Sequence, residues 1–175
     1  DKVSHCMVIG SYSEKMLINA NRLILLDENT SLDIAAASTL QGLTAQYLLH
    51  ESWHLKSNQT VLIHAAAGGV GLILCQWAKY IGAKVIGTVG TEEKSDLALK
   101  YGCDHTILYS KEDFSTKVKD ITENKGVDVV YDAIGKHTFN KGLSCLAEKG
   151  RIVCYGFASG PIQPVDISVL RPFSQ

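Results

Sequence analysis

Between residues 60 and 155 short apolar runs alternate with stretches of helical spacing, and this alternation restricts the fold more than any other feature of the chain. Thr60–His64 reads as a short buried strand and Val70–Ile81 as a helix closed by Gly82. Lys84–Val89 is the next strand, Thr91 caps a helix that runs through Lys100, and His105–Leu108 is a third strand. Phe114, Val118 and Ile121 recur at helical spacing within Glu112–Thr122, and Val127–Asp132 follows Gly126 as a strand. Thr138–Leu146 predicts a further helix and Arg151–Tyr155, after Gly150, the last strand. Parallel neighbours need a crossover, and crossovers cover both faces of a sheet. The expected fold class is therefore α/β, a doubly wound parallel sheet.

Upstream, Ser31 is placed to cap a helix with Asp33 in its first turn, and Ile34–Leu49, rich in Ala and Leu, carries it to about His50. From Ser11 to Leu26, apolar stretches such as Met16–Ile18 and Leu23–Leu26 alternate with polar turns, which predicts two or three small strands. All three prolines follow the last strand, so that tail reads as an irregular linker.

Seventeen Lys+Arg against eighteen Asp+Glu give a net charge of −1, which provides no field to draw nucleic acid or an anionic membrane. A small-molecule partner is expected instead. The five cysteines are dispersed without metal-ligand spacing, as in the reduced thiols of a cytoplasmic protein, and no metal site is expected. No signal or membrane-spanning segment is visible. Of the six histidines only His64, inside a buried strand, stands at a position worth following.

The first strand runs into Ala65-Ala66-Ala67-Gly68-Gly69-Val70-Gly71 and then a helix. This matches the second and third glycines of the dinucleotide fingerprint, with Ala66 where the first would stand. Gly68 lets the backbone approach a pyrophosphate, Gly71 lets the helix pack close to the strand, and the helix N-terminus offers free N–H groups over Gly69 and Val70. The alternative is that small residues there merely permit tight packing. The expected architecture is a Rossmann-type nucleotide domain.

An NAD site normally carries an acid at the tip of the second strand to hold the ribose 2′-hydroxyl. Here the tip reads Thr88-Val89-Gly90-Thr91, and Lys94 follows in the first turn of the next helix, where its ammonium could meet a 2′-phosphate. This argues for NADPH over NADH. Glu92 and Glu93 have two readings: helix-dipole residues facing solvent, or charges that weaken a phosphate site.

The string HAAAGGVGLILCQWAKYIGAKVIGTVGTEEK, ending at Lys94, resembles the quinone oxidoreductase (zeta-crystallin-like) branch of the medium-chain dehydrogenase/reductase superfamily. The resemblance extends upstream through Ala35–Ala37 and Gly42–Ala45, and downstream through Val129–Asp132 and Tyr155–Gly160. It implies that Thr44 contacts the nicotinamide end, that Gly68–Gly71 hold the pyrophosphate, and that Lys94 and Tyr109 bracket the adenosine 2′-phosphate, with Gly90 and Thr91 at the strand tip also counted as cofactor-binding. Ile134 and Gly135, with Phe157 and Ser159 in the Tyr155–Ser159 stretch, would line the nicotinamide and ribose side, although Tyr155-Gly156-Phe157 replaces the family's Phe-Gly-Asn. Zinc-dependent relatives carry a cysteine where this chain has Leu40, so the resemblance implies a zinc-independent enzyme.

The implied reaction is hydride transfer from NADPH to a quinone or another electron-poor alkene or carbonyl, with no general acid assigned. Two alternatives are a non-catalytic, crystallin-like NADPH-binding protein and a reductase of enoyl thioesters or alkenals. The implied domains are a partial GroES-like catalytic domain (1–35), a nucleotide domain (36–170) and a truncated tail (171–175). The sheet would then lack a sixth strand, leaving an edge exposed or paired with a second copy.

Overall fold

The computed structural model describes residues 1–166 and 168–170; the expected tail at 171–175 lies outside the described residues. Val3–Ser4 (β1) and Ile24–Leu25 (β2) form a small antiparallel pair. Helix α1 (Leu32–Tyr47) leads to β3 (Thr60–Ile63), α2 (Gly69–Ile81), β4 (Lys84–Val89) and α3 (Glu92–Lys100). Then follow β5 (His105–Leu108), α4 (Phe114–Ile121), β6 (Val127–Asp132), α5 (Phe139–Leu143) and β7 (Leu146–Cys154).

Among the described residues the large sheet has five parallel strands in the order β5-β4-β3-β6-β7. The chain winds outward from β3 in one direction, then returns to add β6 and β7 on the other side. That is the doubly wound topology, and its switch point lies between β3 and β6. Alternation along the strands divides the core. Val61, Ile63, Val85, Val129 and Tyr131 pack against Leu74, Cys75 and Ala78 of α2, with Leu48 and Leu49 beyond α1. Leu62, Ile86, Ile107 and Val130 pack on the other face against Phe114 and Val118 of α4 and Leu143 of α5.

Most elements coincide with the periodicity, and β4, β5 and β6 match to the residue. Several boundaries need correction. The helix expected over Thr138–Leu146 is only Phe139–Leu143, and β7 starts at Leu146 rather than Arg151. The cause is tertiary: Val127 N–H donates to the Cys145 carbonyl at 2.8 Å and Leu146 pairs with Val127, so the chain is already extended there. An irregularity follows, because β6 advances from Val127 to Val129 while β7 advances from Leu146 to Arg151.

Next, α4 starts at Phe114 rather than Glu112, because the Asp113 carboxylate caps it, accepting from the N–H groups of Ser115 (3.0 Å) and Thr116 (3.1 Å). Finally, the Ser11–Leu26 stretch contributes β2 as its strand among the described residues, and Met16–Ile18 is irregular. Leu17 is fully exposed, and a strand without a partner has nothing to hold it. The helix expected to end near His50 continues past Tyr47 as a π turn over Leu48–Ser52, whose Leu48 carbonyl accepts from Trp53 N–H and from the buried Tyr131 hydroxyl. The expected 35/36 domain junction falls within α1. Among the described residues no helix is long and apolar enough to cross a membrane.

The close contact that positions the turn after β3 is at Gly71. A methyl group there would overlap the Ala65 carbonyl oxygen and lie 2.7 Å from the Ala66 carbonyl oxygen, both backbone atoms. Gly71→Ala should therefore destabilise the chain by about 1–3 kcal/mol, as overpacking does. Urea denaturation checks this; an unchanged midpoint would mean that α2 does not press on the turn.

Candidate functional site

The site is built along the carboxyl ends of β3, β4, β5 and β6. After Ile63 the chain turns through Ala65, which adopts a left-handed conformation (φ 53°), and Gly68 N–H donates back to the Ala65 carbonyl at 2.8 Å. Ala66 is fully buried, and a methyl on Gly87 of β4 would meet its methyl at 2.6 Å. Gly87 thus makes room for Ala66 at the position the fingerprint usually gives to glycine. Helix α2 begins at Gly69, and Leu72 N–H is the first to bond back, to the Gly68 carbonyl (2.8 Å). The N–H groups of Gly69, Val70 and Gly71 therefore have no hydrogen-bond partner among the described residues at a positive helix end, although the Gln41 side chain packs against Gly69.

The second wall comes from β4 and β5. Gly90 lies against Tyr109: a methyl there would stand 2.6 Å from the Tyr109 hydroxyl and push that exposed ring aside. Thr91 caps α3 by accepting from Lys94 N–H at 3.3 Å. A cavity of about 140 Å³ lies between Ala65, Gly68, Thr88, Gly90, Lys94, Tyr109 and Ile134. Glu92 turns to Lys111, with 2.6 Å between the carboxylate and the ammonium.

The third wall rests on Asp132, a fully buried acid at the end of β6. Its carboxylate accepts from Ile134 N–H (2.7 Å), Gly135 N–H (3.0 Å) and the Thr138 hydroxyl (2.8 Å). These bonds fix the turn in which Gly135 has φ 84°, with the Phe157 ring against it. The Ser159 hydroxyl donates to the Ile134 carbonyl (2.8 Å) and accepts from His137 N–H (3.1 Å), tying the segment after β7 to the one after β6.

A larger cleft of about 430 Å³ shares Thr88, Tyr109 and Ile134 with the smaller cavity and reaches Phe114, Thr138, Lys141 and Ser159. His64 forms part of its inner wall. Its Nδ1 lies 2.9 Å from the Thr88 hydroxyl and its ring meets Phe114 edge to face at 4.8 Å, while Nε2 has no partner among the described residues. Burial lowers the His64 pKa to about 4, outweighing the upward pull of the Asp132 charge.

Of the residues singled out in the sequence, Gly68, Gly90, Lys94, Tyr109 and Ile134 converge on one cavity, and Ser159 joins Tyr109 and Ile134 on the second. Gly69, Val70 and Gly71 form the helix start, Thr91 is a cap, and Gly135 and Phe157 are packed together behind Ile134. Thr44 lines neither cavity; its hydroxyl donates to the Leu40 carbonyl one helical turn back, at 2.7 Å. Asp132, Thr88 and Thr138 were not foreseen as site residues. Asp132 left one signal, an acid closing the buried stretch Val129–Asp132 of β6.

These features can be compared with known proteins. Residues 69–174 match the zinc-binding dehydrogenase family. The chain belongs to that family. It is 49% identical over 170 residues to a 2-haloacrylate reductase from Burkholderia, covering 95% of this chain and 51% of that protein. It is 44% identical over 162 residues to a quinone oxidoreductase from Pseudomonas aeruginosa, covering 93% and 50%. The crystal structure of Escherichia coli quinone oxidoreductase complexed with NADPH superposes with a TM-score of 0.84 at 45% identity, over 88% of this chain and 47% of that one. The chain thus spans about half the length of these relatives. The resemblance to the quinone oxidoreductase branch of the medium-chain dehydrogenase/reductase superfamily is borne out, as is the Rossmann-type sheet. Although the family is described as zinc-binding, no group of His, Cys, Asp and Glu is clustered to hold a metal among the described residues.

The buried His64 gives a pH signature. Its proton is disfavoured in the fold, so between pH 6.5 and about 4 the unfolded chain binds more protons and stability falls as pH falls. From pH 7 to pH 5 the wild type should lose about 2 kcal/mol more than His64→Gln. Denaturant titrations at both pH values test this, and parallel losses would mean that His64 is not held neutral.

Proposed function

We propose that this chain is the NADPH-binding part of a zinc-independent, cytoplasmic oxidoreductase that transfers a hydride from NADPH to a quinone. The observation that carries this reading is the convergence of Lys94 and Tyr109 on a cavity above the glycine turn, with the nearby Glu92 carboxylate engaged by Lys111. The residues fit the dinucleotide: free amides for its pyrophosphate, a glycine cradle that a methyl group would fill, and an ammonium for its 2′-phosphate.

In this reading the N–H groups of Gly69, Val70 and Gly71 hold the pyrophosphate. Lys94 and Tyr109 bracket the 2′-phosphate. Asp132 holds Ile134 and Gly135 in place, and Ser159 and Phe157 brace them from the segment after β7. Thr44 would act at the nicotinamide end. When bound, NADPH supplies the hydride; the chain supplies orientation and a water-poor wall. Residues 1–35 would be part of a second, catalytic domain, and a second copy would pair along the outer edge of the sheet at β7.

A second reading of the acceptor has specific support. The 49% identity to a 2-haloacrylate reductase favours an electron-poor alkene. NADPH oxidation by the intact enzyme with a quinone and with 2-chloroacrylate separates the two acceptors, and consumption with neither would point to a non-catalytic NADPH-binding protein.

Lys94→Ala should weaken NADPH binding by about 1–3 kcal/mol, the range of a charge-assisted contact, and leave NADH nearly unchanged. Calorimetric titration with both cofactors tests it, and equal losses for the two would overturn the assignment of Lys94 to the 2′-phosphate.

A further inference from the structure

We infer that Lys111 sets cofactor preference from outside the cavity, by holding the Glu92 carboxylate in an ion pair and keeping the 2′-phosphate position electropositive. The inference rests on the reading that the cavity takes NADPH. Helix α3 opens with Glu92 and Glu93, and Lys94, which lines the cavity, follows immediately. An unpaired acid beside this rim would repel a dianionic phosphate while doing little to a ribose hydroxyl. Glu92 is not unpaired: its carboxylate lies 2.6 Å from the Lys111 ammonium.

Lys111 is well placed for this role because it follows β5 on the segment that also carries Tyr109. Ser110, between them, donates its hydroxyl to the Gly90 carbonyl at 3.2 Å. The segment is therefore tied to the β4 side of the cavity at Gly90 and again at Glu92. The other nearby acid, Glu112, pairs with Lys117 at 2.8 Å, which leaves Lys111 to Glu92. With Lys111 the rim holds two cations and two carboxylates; without it, Lys94 alone faces Glu92 and Glu93. Both partners of the pair are more than 60% exposed, so the pair contributes little to stability and its removal leaves the fold intact.

The test is a set of dissociation constants for NADPH and NADH with the full chain, for wild type, Lys111→Met, Glu92→Gln and the double variant. Lys111→Met should weaken NADPH about threefold to fivefold, the scale of an exposed charge interaction, and leave NADH unchanged. Adding Glu92→Gln should restore NADPH affinity, a rescue that a merely structural lysine would not give. At about 0.5 M salt the difference between wild type and Lys111→Met should disappear, because screening then acts over a few ångströms. Equal losses for both cofactors, or no rescue by Glu92→Gln, overturn the inference. A wild type that prefers NADPH, with Lys111→Met unchanged, overturns the inference alone; a wild type without that preference overturns the cofactor reading as well.

Discussion

The approach of α2 to the turn after β3 governs the carboxyl edge of the sheet. At Gly71 the helix lies so close to the Ala65 and Ala66 carbonyls that no side chain fits between them. The turn must then bend sharply, which Ala65 accomplishes in a left-handed conformation. Its companion Ala66 is pressed toward β4, where Gly87 leaves the space for its methyl. A third layer adjoins this contact, since a methyl on Gly87 would also meet the Cys103 sulfur. Glycine in a strand usually weakens it; here Gly87 answers a close approach from the neighbouring turn.

On the other side of the switch point the positioning is electrostatic rather than steric. Asp132 is a buried carboxylate with no cation paired to it among the described residues, an expensive group unless its oxygens are satisfied. Two backbone N–H groups and the Thr138 hydroxyl satisfy it, and the turn they impose delivers Ile134 to both cavities. The two devices are locked together by the sheet itself, because Ile63 pairs with Tyr131, one residue before His64 and one before Asp132. The spacing across the groove is thus set by strand register and not by the loops that line it.

This division explains what was legible in the sequence. Strands β4, β5 and β6 announced themselves because each is a short apolar run bounded by Gly or polar residues, a local signal. The end of α5 was misread because Cys145 and Leu146 suit a helix locally and leave it only to pair with Val127. Among site residues the glycine turn and Lys94 were legible, since backbone approach and a cation after a strand tip are sequence-level demands. Asp132 and Thr88 were not, because their roles depend on which groups lie beside them across the sheet, and His64 stood out only by its place in a buried strand. Thr44 marks the limit of resemblance: its hydroxyl returns to its own helix at Leu40, and it lines neither cavity.

The two ends of the sheet treat backbone polarity in opposite ways. At the amino ends of the strands carboxylates close the backbone: Asp128 accepts from Thr60 N–H at 2.7 Å, and Asp104 accepts from Val85 N–H at 2.8 Å while pairing with Lys79. At the carboxyl ends no such acid covers the start of α2, and the N–H groups of Gly69, Val70 and Gly71 have no hydrogen-bond partner among the described residues. Unmade hydrogen bonds at a helix start cost little in water, but they are already aligned, so an anion docking there gains them without ordering the chain. Of the acids near this edge, Asp132 is turned inward onto two amides and a hydroxyl, Glu92 is held by Lys111, and Glu112 and Asp113, which line the larger cleft, pair with Lys117 and Lys141. The sheet thus closes the starts of β3 and β4 with carboxylates and leaves the start of α2 without one.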